Sequence, residues 1–348
     1  MSDGVDGLNV VTDRVPLSLL DLAVVTTQDT SASALAATTE LAVRADELGY
    51  ARFWVAEHHN MAAVASTSPA VLMAHLAART NRISVGSGGV MLPNHSPYVI
   101  AEQFALLEAL HPGRVDLGIG RAPGSDPRTS AAVRAGRDGQ AAVESFPNDV
   151  IDVLGLLGDQ RTDDGLWQHV SATPKATTVP TVVLLGSSNY SARLAGLLGL
   201  PFSFAHHFDT GGTERAVDDY RAHFRASERH PRPHLIVSAS VVAADTFEQA
   251  DHLANPSRLR KFGMRTGRRG PLVSPDEAAT HPDLDAARAM PNNMIVGTGE
   301  QVADGLDRLV ALTGADELML TASAFTLEDR LTTIDRVMTA WQTAAITV

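Results

Sequence analysis

Phe53-Trp54-Val55-Ala56-Glu57-His58-His59-Asn60 changes character halfway along. The first half is apolar and aromatic, the composition of a buried strand. The second half is four polar residues in a row. Such a switch marks the carboxyl end of a barrel strand when the strand points into a functional site. The plain alternative is a strand running into a solvated loop whose histidines only cap and hydrogen-bond. The stretch alone leaves both open, but the rest of the chain repeats its unit of strand, polar tip and helix.

Apolar segments bounded by turn residues predict strands over 17–23, 52–56, a third starting at Ile83, then 114–120, 181–185, 202–205, 235–242 and 317–321. Helical patterns lie between them, over 33–48, 69–78, 98–110, 148–157, 192–198, 213–225, 245–254, 299–312 and 327–341. Ser31 or Ser33 can cap the first and Gly49 ends it, while Pro69 suits a first helical turn. Eight strands alternating with helices point to a (β/α)8 TIM barrel, with a doubly wound open sheet as the competitor. Residues 122–145, 158–179 and 255–293 read as irregular insertions, and the first as a long mobile loop fit to act as a lid. Residues 1–15 read as a disordered polar tail, and 16–348 as a single domain.

Composition narrows the function. The chain has 348 residues, 44% hydrophobic and 20% charged, with a net charge of −12. A sizeable core is possible. An acidic chain lacks the basic face that nucleic acid requires, although a single arginine or a helix N-terminus can still bind an anion. There are no cysteines, which removes disulfides, thiolate metal sites and cysteine nucleophiles. No signal peptide and no membrane-spanning run is read, so the expected location is the cytoplasm.

Neither GxxxxGK[ST] nor a strand–GxGxxG–helix occurs. The better anion cradle is Leu185-Gly186-Ser187-Ser188-Asn189-Tyr190-Ser191-Ala192, small and polar between a strand and a helix. Ordinary serine capping explains the same residues. Arg121, just past the fourth strand, either binds a phosphate or pairs with nearby acids. Adjacent residues of a strand face opposite sides, so neither His58-His59 nor His206-His207 offers two ligands to one metal, and no metal site is expected. Glu57 fits a hydrogen bond to a neighbouring strand or an arginine. Asn94 and His95 fit the mouth after the third strand, His59 and His206 fit either the site or its support, and Trp54 and Phe104 fit the core.

Taken together, these stretches resemble the bacterial luciferase-like flavin-dependent monooxygenases. The resemblance rests on residues 54–60, on Val85-Gly86-Ser87-Gly88-Gly89-Val90-Met91-Leu92-Pro93-Asn94-His95-Ser96-Pro97, on residues 101–104 and 112–122, and on 184–191 with Gly199-Leu200-Pro201. It covers about residues 16–342 in the family's order, and is closest to the branch with the WVAEHHN and GSGGVMLPNHSP wording.

The resemblance implies a (β/α)8 barrel that binds FMN, or in some branches the deazaflavin F420, at the carboxyl ends of its strands. It assigns His58 to the histidine that acts near the flavin C4a, and Gly88-Gly89 to a strand end where the family often has a cis peptide against the flavin ring. It assigns Arg121, Ser188 and Ser191 to the cofactor phosphate. Gly120 stands where luciferase proper has a reactive cysteine, and Ser187 where it has a glutamate, which argues against light emission. The implied reaction uses reduced FMN from a separate flavin reductase, O2 and a small organic substrate. The implied assembly is a homodimer, which an apolar helix face around 70–110 permits. An F420-dependent hydride transfer and a non-catalytic flavin-binding protein are the other readings. On the preferred one, His58 faces the flavin while Glu57 and His59 hold the loop.

Overall fold

The computed structural model describes residues 14–122, 125–136, 138–208, 211–268 and 270–343. The tail expected over 1–15 lies outside the described residues up to position 13. Arg14 is packed down, donating to the carbonyls of Ala340 and Trp341 with its guanidinium 4.4 Å from the Trp341 ring centroid.

The strands are β1 (Leu17–Asp21), β2 (Arg52–Val55), β3 (Ser84–Ser87), β4 (Val90–Met91), β5 (Val115–Gly120), β6 (Thr181–Gly186), β7 (Phe202–Phe204), β8 (Leu235–Ala243), β9 (Ile295–Gly297) and β10 (Glu317–Ala322). Their pairings are parallel, and β10 pairs with both β1 (Leu17↔Leu318) and β8 (Glu317↔Ile236). That double pairing closes the sheet into an eight-stranded barrel and eliminates the open doubly wound sheet. β3 and β4 form one barrel strand, interrupted at Gly88-Gly89, whose peptide bond is cis. β9 was not anticipated. It lies outside the ring, where it extends the end of β8 (Val241↔Ile295).

Alternation along the strands separates two apolar layers. Leu17, Leu19, Phe53, Val85 and Leu117 join the core between barrel and helices, which also takes Phe104. Trp54, Val183, Ile236 and Met319 fill the barrel interior, with Leu20 and Leu185 packed on them. Trp54 explains one glycine of the third strand. A Cβ on Gly86 would lie 2.3 Å from its indole. Below the indole a polar layer closes the amino end of the barrel. Arg52 bridges Asp116 at 2.7 Å and Glu317 at 3.0 Å, and the Trp54 indole N–H donates to Asp116 at 3.0 Å.

Two of the three insertions are more ordered than their composition implies. Residues 122–145 hold helices Pro127–Val133 and Gly139–Glu144, capped by the Asp126 and Asp138 carboxylates. Residues 255–293 hold helices Asn255–Arg265, Pro275–Ala279 and Leu284–Ala289, the second started by a Ser274–Glu277 capping box. Aspartate or serine beside proline or glycine gave three of these five starts, and a glycine- and arginine-rich composition masked them. Only 158–179 is as irregular as expected, with one 3-10 turn at Leu166–Gln168.

Candidate active site

The carboxyl ends of β2, β3/β4, β5 and β6 are neighbours around the ring, and each carries one of the expected site residues. After Val55 the chain is held open by Ser66, which donates through its hydroxyl to the Ala56 carbonyl and accepts the His58 N–H through its own carbonyl. Glu57 is buried at 1% exposure. Its Oε1 accepts from Nε2 of His59 and from Nε2 of His95, each at 2.8 Å, and its Oε2 accepts from the Met91 N–H at 2.9 Å. Burial works to raise this carboxyl, but donation from His95, His59 and Met91 holds it below the usual glutamate range. Glu57 is thus an ionised buried tie between the loops after β2 and β4, matching the supporting role expected of Glu57 and His59. Asn94, expected at the mouth, is buried in the turn Leu92–Asn94.

His58 does something different. Its ring borders a cavity of about 330 Å3 together with Leu22, Met61, Phe208, Arg260 and Phe262. Its Nδ1 is buried and has no hydrogen-bond partner. Burial pushes its pKa down, helped by the positive fields of His59 and Arg260 and opposed by Glu57. The imidazole is therefore neutral at pH 7, and its ring lies on the cavity wall with a buried, unpartnered Nδ1.

At the next strand end the backbone is bare. A Cβ on Gly88 would lie 2.7 Å from Leu20, and one on Gly89 would lie 2.8 Å from the Gly118 carbonyl. The pair forms a side-chain-free wall at the mouth that a larger residue would not fit.

Past β5 and β6 the last three expected residues meet. Arg121 stacks on the Tyr190 ring at 3.9 Å, and among the described residues no carboxylate pairs with it. Ser188 is the N-cap of helix Asn189–Leu197, but its hydroxyl makes no capping bond. The first-turn N–H groups therefore point outward, with the positive end of the helix dipole behind them. Ser191 is buried one turn in, against Gly186, where a Cβ would lie 2.5 Å from its Oγ. An uncapped helix start with two hydroxyls and an unpaired guanidinium offers the donors and positive field that an anion such as a phosphate monoester requires. Both plain readings fail here, since Ser188 does not cap and Arg121 has no acidic partner.

Two further groups, His207 and Arg260, lie close to these residues, and the sequence assigns neither of them to the site. His207 Nδ1 lies 2.6 Å from Ser238 Oγ, whose own proton goes to the Phe204 carbonyl. Nδ1 must then be the donor, which leaves Nε2 an acceptor. Burial pushes the His207 pKa down to about 3. His206 is tied to Thr213 Oγ1 at 2.7 Å. Arg260 lies on helix Asn255–Arg265, inside a segment read as irregular. Pro256 at its start and the spacing of Leu259, Phe262 and Gly263 were the available signals. Among the described residues no group of three or more histidines and carboxylates is arranged to hold a metal.

Comparison with known proteins places the fold in a family. The luciferase-like monooxygenase family matches residues 15–317. A luciferase-like monooxygenase of Escherichia coli (strain K12) is 39% identical over 333 residues, 94% of this chain and 98% of the relative. An N-acetyl-S-alkylcysteine monooxygenase of Bacillus subtilis (strain 168) is 36% identical over 307 residues, 85% of this chain and 89% of the relative. The crystal structure of apo-MsnO8 superimposes with a TM-score of 0.85 at 34% identity, covering 94% of this chain and 99% of that one. The barrel, its broken third strand and these matches along nearly the whole chain establish that this protein belongs to the luciferase-like monooxygenase family.

Proposed function

We propose that the protein oxygenates a small organic substrate with O2 and reduced FMN, the flavin being delivered by a separate reductase. The observation that carries the proposal is the order of groups around four adjacent strand ends. A neutral His58 with a free Nδ1 follows β2, the glycine wall follows β3, unpaired Arg121 follows β5, and the uncapped helix start follows β6. That order fits one elongated ligand with a phosphate at one end and a flat ring at the other.

Reduced FMN, when bound, supplies the electrons and the oxygen-activating chemistry. The chain supplies the rest. Arg121, the Ser188 and Ser191 hydroxyls and the first-turn N–H groups hold the phosphate. Gly88-Gly89 lets the ring approach the backbone closely. His58 is the imidazole on the cavity wall that accepts or donates one proton. The apolar cavity walls, Leu22, Met61 and Phe208 among them, keep water out. The family's light-emitting chemistry is not proposed, because Gly120 and Ser187 replace the residues that resemblance would require.

Anaerobic titration of the purified protein with reduced FMN, oxidised FMN and F420 tests this reading. Saturable binding of reduced FMN tighter than that of F420, followed by O2 consumption on mixing, is expected. Preference for F420 points to hydride transfer instead. Flavin binding with turnover unaffected by His58→Ala points to a non-catalytic carrier.

The homodimer also belongs to this proposal. It is supported by Val71, Leu106 and Leu110, which are 73%, 49% and 60% exposed on helices Pro69–Ala77 and Pro97–Leu110. Light scattering at micromolar concentration should return twice the chain mass. A cytoplasmic setting accords with the reading, and no helix among the described residues is long and apolar enough to cross a membrane.

A further inference from the structure

We infer that Arg260 anchors the carboxylate of the substrate, so that the enzyme acts on small organic acids with an apolar remainder. The inference rests on the monooxygenase reading above and names its substrate class.

Arg260 forms part of the wall of two cavities beside the barrel mouth. One, of about 330 Å3, contains His58. The other, of about 220 Å3, lies at the ends of β1 and β10 and contains Thr321 and Ser323. Among the described residues Arg260 makes no hydrogen bond and no ion pair. Its neighbours are committed: Arg258 and Arg288 both bind Asp251, and Lys261 bonds to Asn292. Burial alone pushes the Arg260 pKa down, the mark of a cation without a counter-charge.

No acid lining either cavity is free to provide that charge. Asp21 is held by Arg330 at 2.7 Å and Thr38 at 2.6 Å. Asp29 accepts from Thr26 and Ser33. Asp283 pairs with Arg268 at 2.6 Å. A half-buried guanidinium with no partner, lining two cavities whose own carboxylates are all hydrogen-bonded or ion-paired, favours an anionic ligand.

A second, independent group points the same way. Thr321 lines the smaller cavity, and its hydroxyl oxygen is buried without a partner. A carboxylate accepts from both: the planar fork of Arg260 and the O–H of Thr321. The larger cavity then takes the apolar remainder among Met61, Phe208, Phe262 and Met264, with His58 on the same wall. Both cavities are bounded by the end of β1 and by helix Asn255–Arg265, the smaller also by the end of β10 and the larger by the loop after β2. The phosphate receptor lies past β5 and β6, so Arg260 is left to the substrate.

The test uses the full-length protein with and without FMN. Dissociation constants are measured by calorimetry for three acids and their amides: 4-phenylbutyrate, hexanoate and N-acetylmethionine. FMN affinity is measured in parallel by fluorescence. The wild type should prefer at least one acid over its amide by about tenfold or more, and Arg260→Ala should weaken that acid roughly 10- to 100-fold while leaving the amide unchanged. Arg260→Lys should fall between, and FMN affinity should stay within about twofold throughout. Arg260 has no protein partner to orphan, so the alanine protein should fold; if it does not, Arg260→Lys and Arg260→Gln decide. Equal affinity for every acid and amide overturns the inference, and so does an acid preference that survives Arg260→Ala. A loss of FMN affinity in Arg260→Ala with that preference intact assigns Arg260 to the flavin and overturns it too. Failure of the wild type to bind FMN counts against the flavin reading alone, because the acid preference is scored without FMN as well.

Discussion

Glu57 accepts a 2.8 Å hydrogen bond from His95, 38 positions away in the chain, and this bond joins the loop after β2 to the loop after β4. Because Glu57 also takes His59 and the Met91 N–H, one buried carboxylate sets the backbone on both sides of the site. It leaves His58, between Glu57 and His59, as the residue turned to the cavity.

Replacing Glu57 with glutamine should therefore be costly. The amide keeps one acceptor oxygen but sets an NH2 against a donor. A loss of about 2–3 kcal/mol is expected, from hydrogen bonds to a charged group. The wild type should also respond to acid. The folded carboxyl titrates below the unfolded one, so its stabilisation is complete above the ordinary glutamate value, about 4.3, and is lost as pH falls through the lower folded value. Urea unfolding from pH 3 to 7 should show that acid limb in the wild type and a shallower one in Glu57→Gln.

For His58, turnover should require the neutral ring. Its pKa lies below the ordinary 6.5, so kcat/KM governed by this group should stay flat from pH 8 to about 6.5 and fall only at lower pH. His58→Ala should lower turnover roughly 10²- to 10⁴-fold, with little change in flavin affinity. Initial rates across pH for both proteins check this.

Ser188 distinguishes capping from phosphate binding. An N-cap serine that makes its bond loses about 1 kcal/mol on change to alanine. Ser188 makes none, so Ser188→Ala should melt with the wild type yet bind FMN several-fold more weakly. Arg121→Ala should weaken FMN more, by roughly 10- to 100-fold. Neither change should alter affinity for riboflavin, which lacks the phosphate. Fluorescence titration with both flavins reads the difference.

Two glycines should behave oppositely on change to alanine. At Gly86 the added methyl meets the Trp54 indole at 2.3 Å and the Asp116 Cβ at 2.8 Å, deep in the barrel. Overpacking there should destabilise by about 3 kcal/mol or more. At Gly120 the nearest atom is the Met91 sulfur at 3.2 Å, on a flexible side chain, so Gly120→Ala should stay within about 1 kcal/mol. Thermal melts of the two variants compare them directly.

Local pattern carried most of the fold. The eight barrel strands and nine helices expected from it are present, with ends shifted by a few residues. Barrel closure was not local. It depends on β10 pairing with β8, strands some 80 positions apart in the chain, which no short window contains. The helices inside 122–145 and 255–293 were signalled by Asp126-Pro127, Asp138-Gly139 and Ser274-Pro275, but the surrounding composition reads as loop. The candidate site was legible in position, though not in role, where a residue type and a strand end coincide, as at His58 and Arg121. It was not legible where function depends on a partner being absent. That Ser188 does not cap, that His58 Nδ1 is unpaired and that Arg260 has no counter-ion are properties of the assembled structure. Glu57 lies between these cases, since His59 and His95 were both visible but their shared bond to its Oε1 was not.

The most direct test of the account is a crystal structure of the protein with bound FMN. The account predicts the phosphate at the start of helix Asn189–Leu197, bonded to Arg121 and Ser188, with the ring against Gly88-Gly89 and its reactive face toward His58. A phosphate bound elsewhere on the barrel, or a ring turned away from His58, would contradict it.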